Sequence, residues 1–141
     1  MGAAAATAVA AVFVWLGMVL AISFIEAPLK FRAPRVTLPI GLGIGRLVFR
    51  ALNGVEAVLA IVVIAAVVSA HLPTLTSAAA ATAVGALVVQ LVVVRPRLTR
   101  RSGAVLAGSP APRSRAHYAY VGLEVVKVVG LIVAGIALLS P

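Results

Sequence analysis

The sequence predicts an all-α, polytopic integral membrane protein of four transmembrane helices. Three observations carry this reading. Hydrophobic residues make up 63% of the 141 positions and charged residues only 11%. Soluble domains carry roughly a quarter charged residues, so a chain this apolar needs lipid as its solvent. The apolar residues also fall into four runs long enough to cross the hydrocarbon core, which takes about 20 residues per helix. Finally, eleven of the twelve Lys and Arg residues flank those runs instead of spreading over a face.

The spans are expected over residues 3–25, 47–70, 77–94 and 118–139 of a single domain. Pro28, Pro34 and Pro39 are expected to break the chain after the first span, because proline removes a helical donor and clashes with the preceding turn. His71 to Thr74 form a short turn between the second and third. Pro96, Pro110 and Pro112 punctuate the third connection. The first span does not read as a cleaved signal peptide: no basic segment precedes it, and its apolar run exceeds the ~7–15 residues of such a signal.

Lys and Arg set the orientation. Lys30, Arg32, Arg35, Arg46 and Arg50 lie in or beside the first connection, and Arg95, Arg97, Arg100, Arg101, Arg113 and Arg115 in the third. Only Lys127 lies elsewhere. The positive-inside rule then places those two connections in the cytoplasm and both termini outside, in the inner membrane if the source is bacterial. The net charge of +9 is accounted for by this pattern, so no nucleic-acid partner is expected. Anionic membrane lipids are the expected partners of the basic loops.

A shift of 68 residues aligns Gly17 with Gly85, Pro28 with Pro96, Arg32 with Arg100, Gly54 with Gly122 and Glu56 with Glu124. The Glu, Pro and Arg matches carry the weight, being rare residue types in an apolar chain, and the alignment needs no gap. It suggests two parallel helical-hairpin repeats, residues 1–68 and 69–141, related by an axis along the membrane normal.

The chain has three acidic residues, Glu26, Glu56 and Glu124, all in or at the edge of apolar spans. An ionisable group at that depth costs roughly 2.5–3.5 kcal/mol and normally faces the bundle interior with a partner. Lys30 lies one turn from Glu26, and Lys127 three residues from Glu124; both spacings share a helical face. Glu56 has only Asn53 nearby on its own face, so its partner must come from another helix, with Trp15, Gln90, Tyr120 and Lys127 available. Glu56, Glu124, Lys127 and Asn53 are therefore the expected buried ionisable site. Two carboxylates and one ammonium leave one negative charge over, which a proton, cation or basic ligand would neutralise.

Gly41, Gly43 and Gly45 precede Arg46 at the expected start of the second helix. Arg46 and Arg50, with Lys30 and Arg32, form the expected site for an anionic headgroup or ligand. The glycines are not a nucleotide fingerprint, since no βαβ unit surrounds them. No cysteine is present, no metal site is expected, and no cofactor. The two histidines fall at opposite membrane faces, and Leu59 and Lys127 stand where a helical di-metal motif needs histidine. His117, Tyr118 and Tyr120 are expected to form an interfacial belt. No catalytic constellation is visible, so an enzyme is not expected.

Trp15-Leu16-Gly17, Pro28 with Phe31, and Gly45-Arg46-Leu47-Val48-Phe49 give the first hairpin a resemblance to the transmembrane protein 205-like group of small four-helix membrane proteins. The resemblance implies the four-helix membrane architecture and carries no activity. Two functions fit these observations. One is a small membrane protein that binds or transports a lipid, amphiphile or ion; four helices enclose little volume, so it would be expected to work as a homo-oligomer. The other is a non-catalytic accessory subunit of a larger membrane complex, favoured by small size and abundant Gly and Ala.

The orientation is directly testable. Single cysteines introduced at Thr74 and Ser102 should react with membrane-impermeant thiol reagents from opposite sides. Labelling of both from the outside would overturn it.

Overall fold

The computed structural model of the protein describes residues 1–108 and 115–140. Pro110, Pro112 and Arg113 of the third connection lie outside the described residues. Four helices are long and apolar enough to cross a membrane: α1 (Ala3–Arg32), α2 (Leu38–Ala70), α3 (Thr74–Leu106) and α4 (Arg115–Leu139). The described residues contain no strand. The helices pack in a ring, with α1 against α2 and α4, and α3 against α4 and α2. This is an all-α, multi-pass membrane bundle.

The helices run further than the apolar spans, and the excess lies at one end. At a rise of 1.5 Å per residue α2 is about 50 Å long, well beyond the ~30 Å of hydrocarbon. Ala3, the α2–α3 turn and Leu139 mark the opposite end, so the surplus collects where the arginines are. The tight turn at that opposite end is closed locally. His71 caps α2 in the left-handed conformation at φ 47°, its N–H bonded to the Val67 carbonyl, and Pro73 starts the next helix.

Two expectations about proline are corrected. α1 continues through Pro28, and α3 continues through Pro96. Each proline is preceded by a π-helical segment, Leu20–Glu26 in α1 and Gln90–Val94 in α3. The N–H of Ala27 donates to the carbonyl of Ile22, and that of Arg95 to the carbonyl of Gln90, five residues back instead of four. Widening the turn absorbs the clash and the missing donor, as membrane helices commonly do. The two defects are 68 residues apart, the same offset that aligns Glu56 with Glu124. Pro39 falls in the first turn of α2, a position proline tolerates, and Thr37 caps that helix by accepting from the Ile40 N–H at 3.4 Å. Gly41, Gly43 and Gly45 are thus inside α2, and Glu56 lies near its middle, eighteen positions from Leu38.

The core contains Val12, Trp15, Val63, Leu87, Leu131 and Ala134. A smaller cluster of Val94, Ala116 and Tyr120 sits at the basic end, packed by Phe49, Leu98 and Leu123. Large apolar residues such as Val58, Ile61, Val92 and Ile136 face outward, as a lipid-facing surface requires. α3 and α4 approach through small residues. A Cβ on Gly130 would lie 3.0 Å from the Ala79 carbonyl oxygen and 3.3 Å from the Ala83 nitrogen, and neither backbone atom can move aside cheaply.

Gly130→Ala should therefore destabilise the bundle by about 1–3 kcal/mol, read by reversible unfolding in detergent micelles. Gly54→Ala, where nothing lies within 4 Å, should not. Equal effects would place the α3–α4 contact elsewhere.

Candidate functional site

Two features bring polar groups together. The first is a buried ion cluster in the middle of the bundle. Glu56 and Lys127 are 0% exposed and Glu124 is 2% exposed. Lys127 Nζ lies 2.5 Å from Glu56 Oε2, pairs with Glu124 Oε1, and donates to Gln90 Oε1 at 2.8 Å. An ammonium has three protons, and three acceptors surround this one. The Glu124–Lys127 pair closes over one helical turn of α4. The Glu56–Lys127 pair reaches across the ring from α2 to α4.

The remaining helices complete the cluster. From α1, Trp15 Nε1 donates to Glu56 Oε2 at 2.7 Å, and Ser23 Oγ donates to Glu124 Oε2. From α3, Gln90 Nε2 donates to Glu124 Oε1 at 2.7 Å and to the Tyr120 carbonyl at 3.3 Å. One acceptor is left over. Glu56 Oε1 is buried and meets no hydrogen-bond donor among the described residues. The 68-residue offset supplies a reason. Ser23, which serves Glu124, corresponds to Leu91, which has no donor to offer Glu56.

Trp15 and Lys127 are thus the partners that Glu56 required. Gln90 serves Glu124 and Lys127 instead, and Tyr120 serves Asn53, its hydroxyl donating to Asn53 Oδ1 at 3.4 Å. The structure corrects, at Tyr120, the interfacial belt expected of His117, Tyr118 and Tyr120. Tyr120 is 6% exposed whereas Tyr118 is 65% exposed, because two residues along a helix point to nearly opposite faces. Ser23 carried no signal in the sequence: a serine in an apolar span often only bonds its own backbone.

The second feature is a cleft of about 670 Å³ between α2 and α3 at the basic end. Its polar lining is Arg46, Arg50, Asn53, Arg95 and Thr99. The α2 members follow helical spacing on one stripe, and Glu56 is the next position along it. Asn53, expected beside Glu56 in the ionisable site, lines the cleft and bonds to Tyr120 rather than to a charged member of the cluster. Lys30 and Arg32 do not line the cleft. Lys30 Nζ turns to Glu26 Oε2 at 3.8 Å and lies 5.5 and 5.7 Å from the Phe31 and Phe49 ring centroids. Arg32 is exposed at the end of α1. Arg95 stacks over Phe49 at 5.5 Å.

Among the described residues no group of three or more His, Cys, Asp or Glu side chains could hold a metal ion. Comparison with protein-family models, curated proteins and solved structures found no match. The site's chemistry therefore has to be argued from its geometry.

That chemistry is charge compensation in a buried interior. Removing one member of a buried pair costs about 3–5 kcal/mol, because the other is left uncompensated. Lys127→Met strands two carboxylates and should lower stability by at least that much, measured by unfolding in micelles. The triple variant Glu56→Gln, Glu124→Gln, Lys127→Met removes every charge and should recover most of the loss. A triple variant as unstable as the single one would show that packing, not charge, dominates.

Proposed function

We propose that the protein is a small membrane binder or transporter of a lipid, amphiphile or ion whose working element is the Glu56–Lys127–Glu124 cluster. One observation carries this reading. Two buried carboxylates share one ammonium, and the second oxygen of Glu56 has no donor. A site built only to hold helices together would be better served by a neutral pair, since an odd charge in low dielectric is expensive. An odd charge is useful where it can be neutralised reversibly, and the smallest neutraliser is a proton.

In this reading Glu56 is the proton-binding group and Lys127 and Glu124 set its charge balance. Trp15 holds one oxygen of Glu56 and leaves the other free to be protonated. Asn53 and Tyr120 lie on the side of the basic cleft and provide polar groups between Glu56 and that end. The protein exchanges a proton at Glu56 as it loads or releases its solute. Its orientation, with the basic end in the cytoplasm of a bacterial inner membrane, and its assembly as a homo-oligomer are parts of the same proposal.

The chain contains one tryptophan, and it contacts Glu56 directly, so Trp15 reports on the cluster. Its emission in detergent or nanodiscs should follow a single-proton titration. The cluster is neutral at the acidic limb and carries one negative charge at the basic limb. Glu56→Gln should remove the transition while keeping the helical content. Glu26→Gln, which leaves the cluster intact, should retain it. A titration that persists in Glu56→Gln would sink the proton-binding reading. Stoichiometric co-purification of other subunits with a silent Trp15 would favour an accessory subunit instead.

A further inference from the structure

The cleft between α2 and α3 brings together Arg46, Arg50 and Arg95, and the chain has no carboxylate side chain left to pair with them. It contains three acidic residues in all. Glu26 is engaged by Lys30, and Glu56 and Glu124 by Lys127. Three guanidinium groups around one cleft repel one another, and an anion from outside the chain is what offsets that repulsion.

We propose that this cleft binds the phosphate of an anionic membrane lipid. Arg46, Arg50 and Arg95 supply planar, permanently charged donors suited to a phosphate. The Thr99 hydroxyl adds a further polar group beside Arg95, one turn on along α3. The volume of about 670 Å³ is within the usual range for small-molecule sites.

A lipid fits better than a free anion because the cleft is amphiphilic. Leu47, Leu91 and Leu106 line it along with the arginines, and Leu47 is 72% exposed on the outer surface of the bundle. The cleft also sits at the basic end of the bundle, where the clustering of Lys and Arg beside the apolar spans puts the headgroup layer. A second cavity, of about 300 Å³ between α1 and α2 at the opposite end, is lined by Ala4, Thr7, Ala66 and other uncharged residues. Of these two cavities, the one at the basic end has the charge to hold an anionic headgroup. This deepens the reading above by naming the class of solute, and it rests on that reading only for coupling to the cluster.

The test uses the full chain in a mild non-ionic detergent. The protein is exposed to equal amounts of phosphatidylglycerol and phosphatidylcholine, and bound lipid is counted by native mass spectrometry. The wild type should retain phosphatidylglycerol selectively. Arg46→Gln with Arg50→Gln should lower that retention by at least about ten-fold, the loss of one charge-assisted contact or more. Arg97→Gln with Arg100→Gln removes two charges outside the cleft and should retain it. Circular dichroism checks that both variants are folded.

Equal loss in the two double variants, or none in the first, overturns the site. Displacement of the lipid by millimolar inorganic phosphate overturns the lipid assignment in favour of a soluble anion. Glu56→Gln should lose the Trp15 pH response yet keep the lipid, so failure of the cluster reading and failure of the cleft are separately visible.

Discussion

Lys127 must satisfy two carboxylates at once while all three groups are buried, and the arrangement of the bundle follows from that demand. Between apolar helices in lipid the hydrophobic effect supplies no driving force, so packing and polar contacts have to set the interfaces. The cluster draws Trp15 and Ser23 from α1, Glu56 from α2, Gln90 from α3, and Glu124 with Lys127 from α4. Each of these residues fixes the rotation of its helix about its own axis. A turn of any one helix by a single residue would expose a charged or hydrogen-bonded group to hydrocarbon.

The close approach of α3 and α4 serves the same end. Ala79, Ala83 and Gly130 let the two backbones meet, and this places Gln90 within reach of both Glu124 and Lys127. The π segments ahead of Pro28 and Pro96 work in the same layer of the bundle. Ser23 lies inside one and Gln90 begins the other, so the widened turns that rescue each proline also carry cluster residues. Backbone accommodation and polar satisfaction are thus achieved by the same few positions.

At the 68-residue offset both halves carry a π segment ahead of a proline, but their charges differ. Glu56 and Glu124 correspond, but Lys127 corresponds to Leu59 and Ser23 to Leu91. Glu124 is consequently satisfied on both oxygens, and Glu56 on one. The same asymmetry separates the two sides of the ring. Ser23 bridges α1 to α4, whereas Leu91, in the corresponding place, lines the α2–α3 cleft. The unsatisfied carboxylate and the basic cleft therefore lie on one helix stripe, from Gly43 through Arg46, Arg50 and Asn53 to Glu56.

What the sequence determined by itself is whatever repeats along one helix or is counted over the whole chain. Length and apolar character set four spans, because hydrocarbon thickness admits few alternatives. Spacings of three and four residues joined Glu124 to Lys127 and Glu26 to Lys30. The lack of a base near Glu56 on α2 required a partner from elsewhere. Tertiary structure alone decided which helix faces meet. It chose Lys127 and Trp15 over Gln90 and Tyr120 as the partners of Glu56. It turned Tyr120 inward, and it brought Arg95 beside Arg46 and Arg50 across a long sequence separation. It also carried α1 and α3 through their prolines by hydrogen bonds that skip a residue. Periodicity records which residues share a face of one helix, but the rotation and register of neighbouring helices are settled only when every buried polar group must find its partner at once.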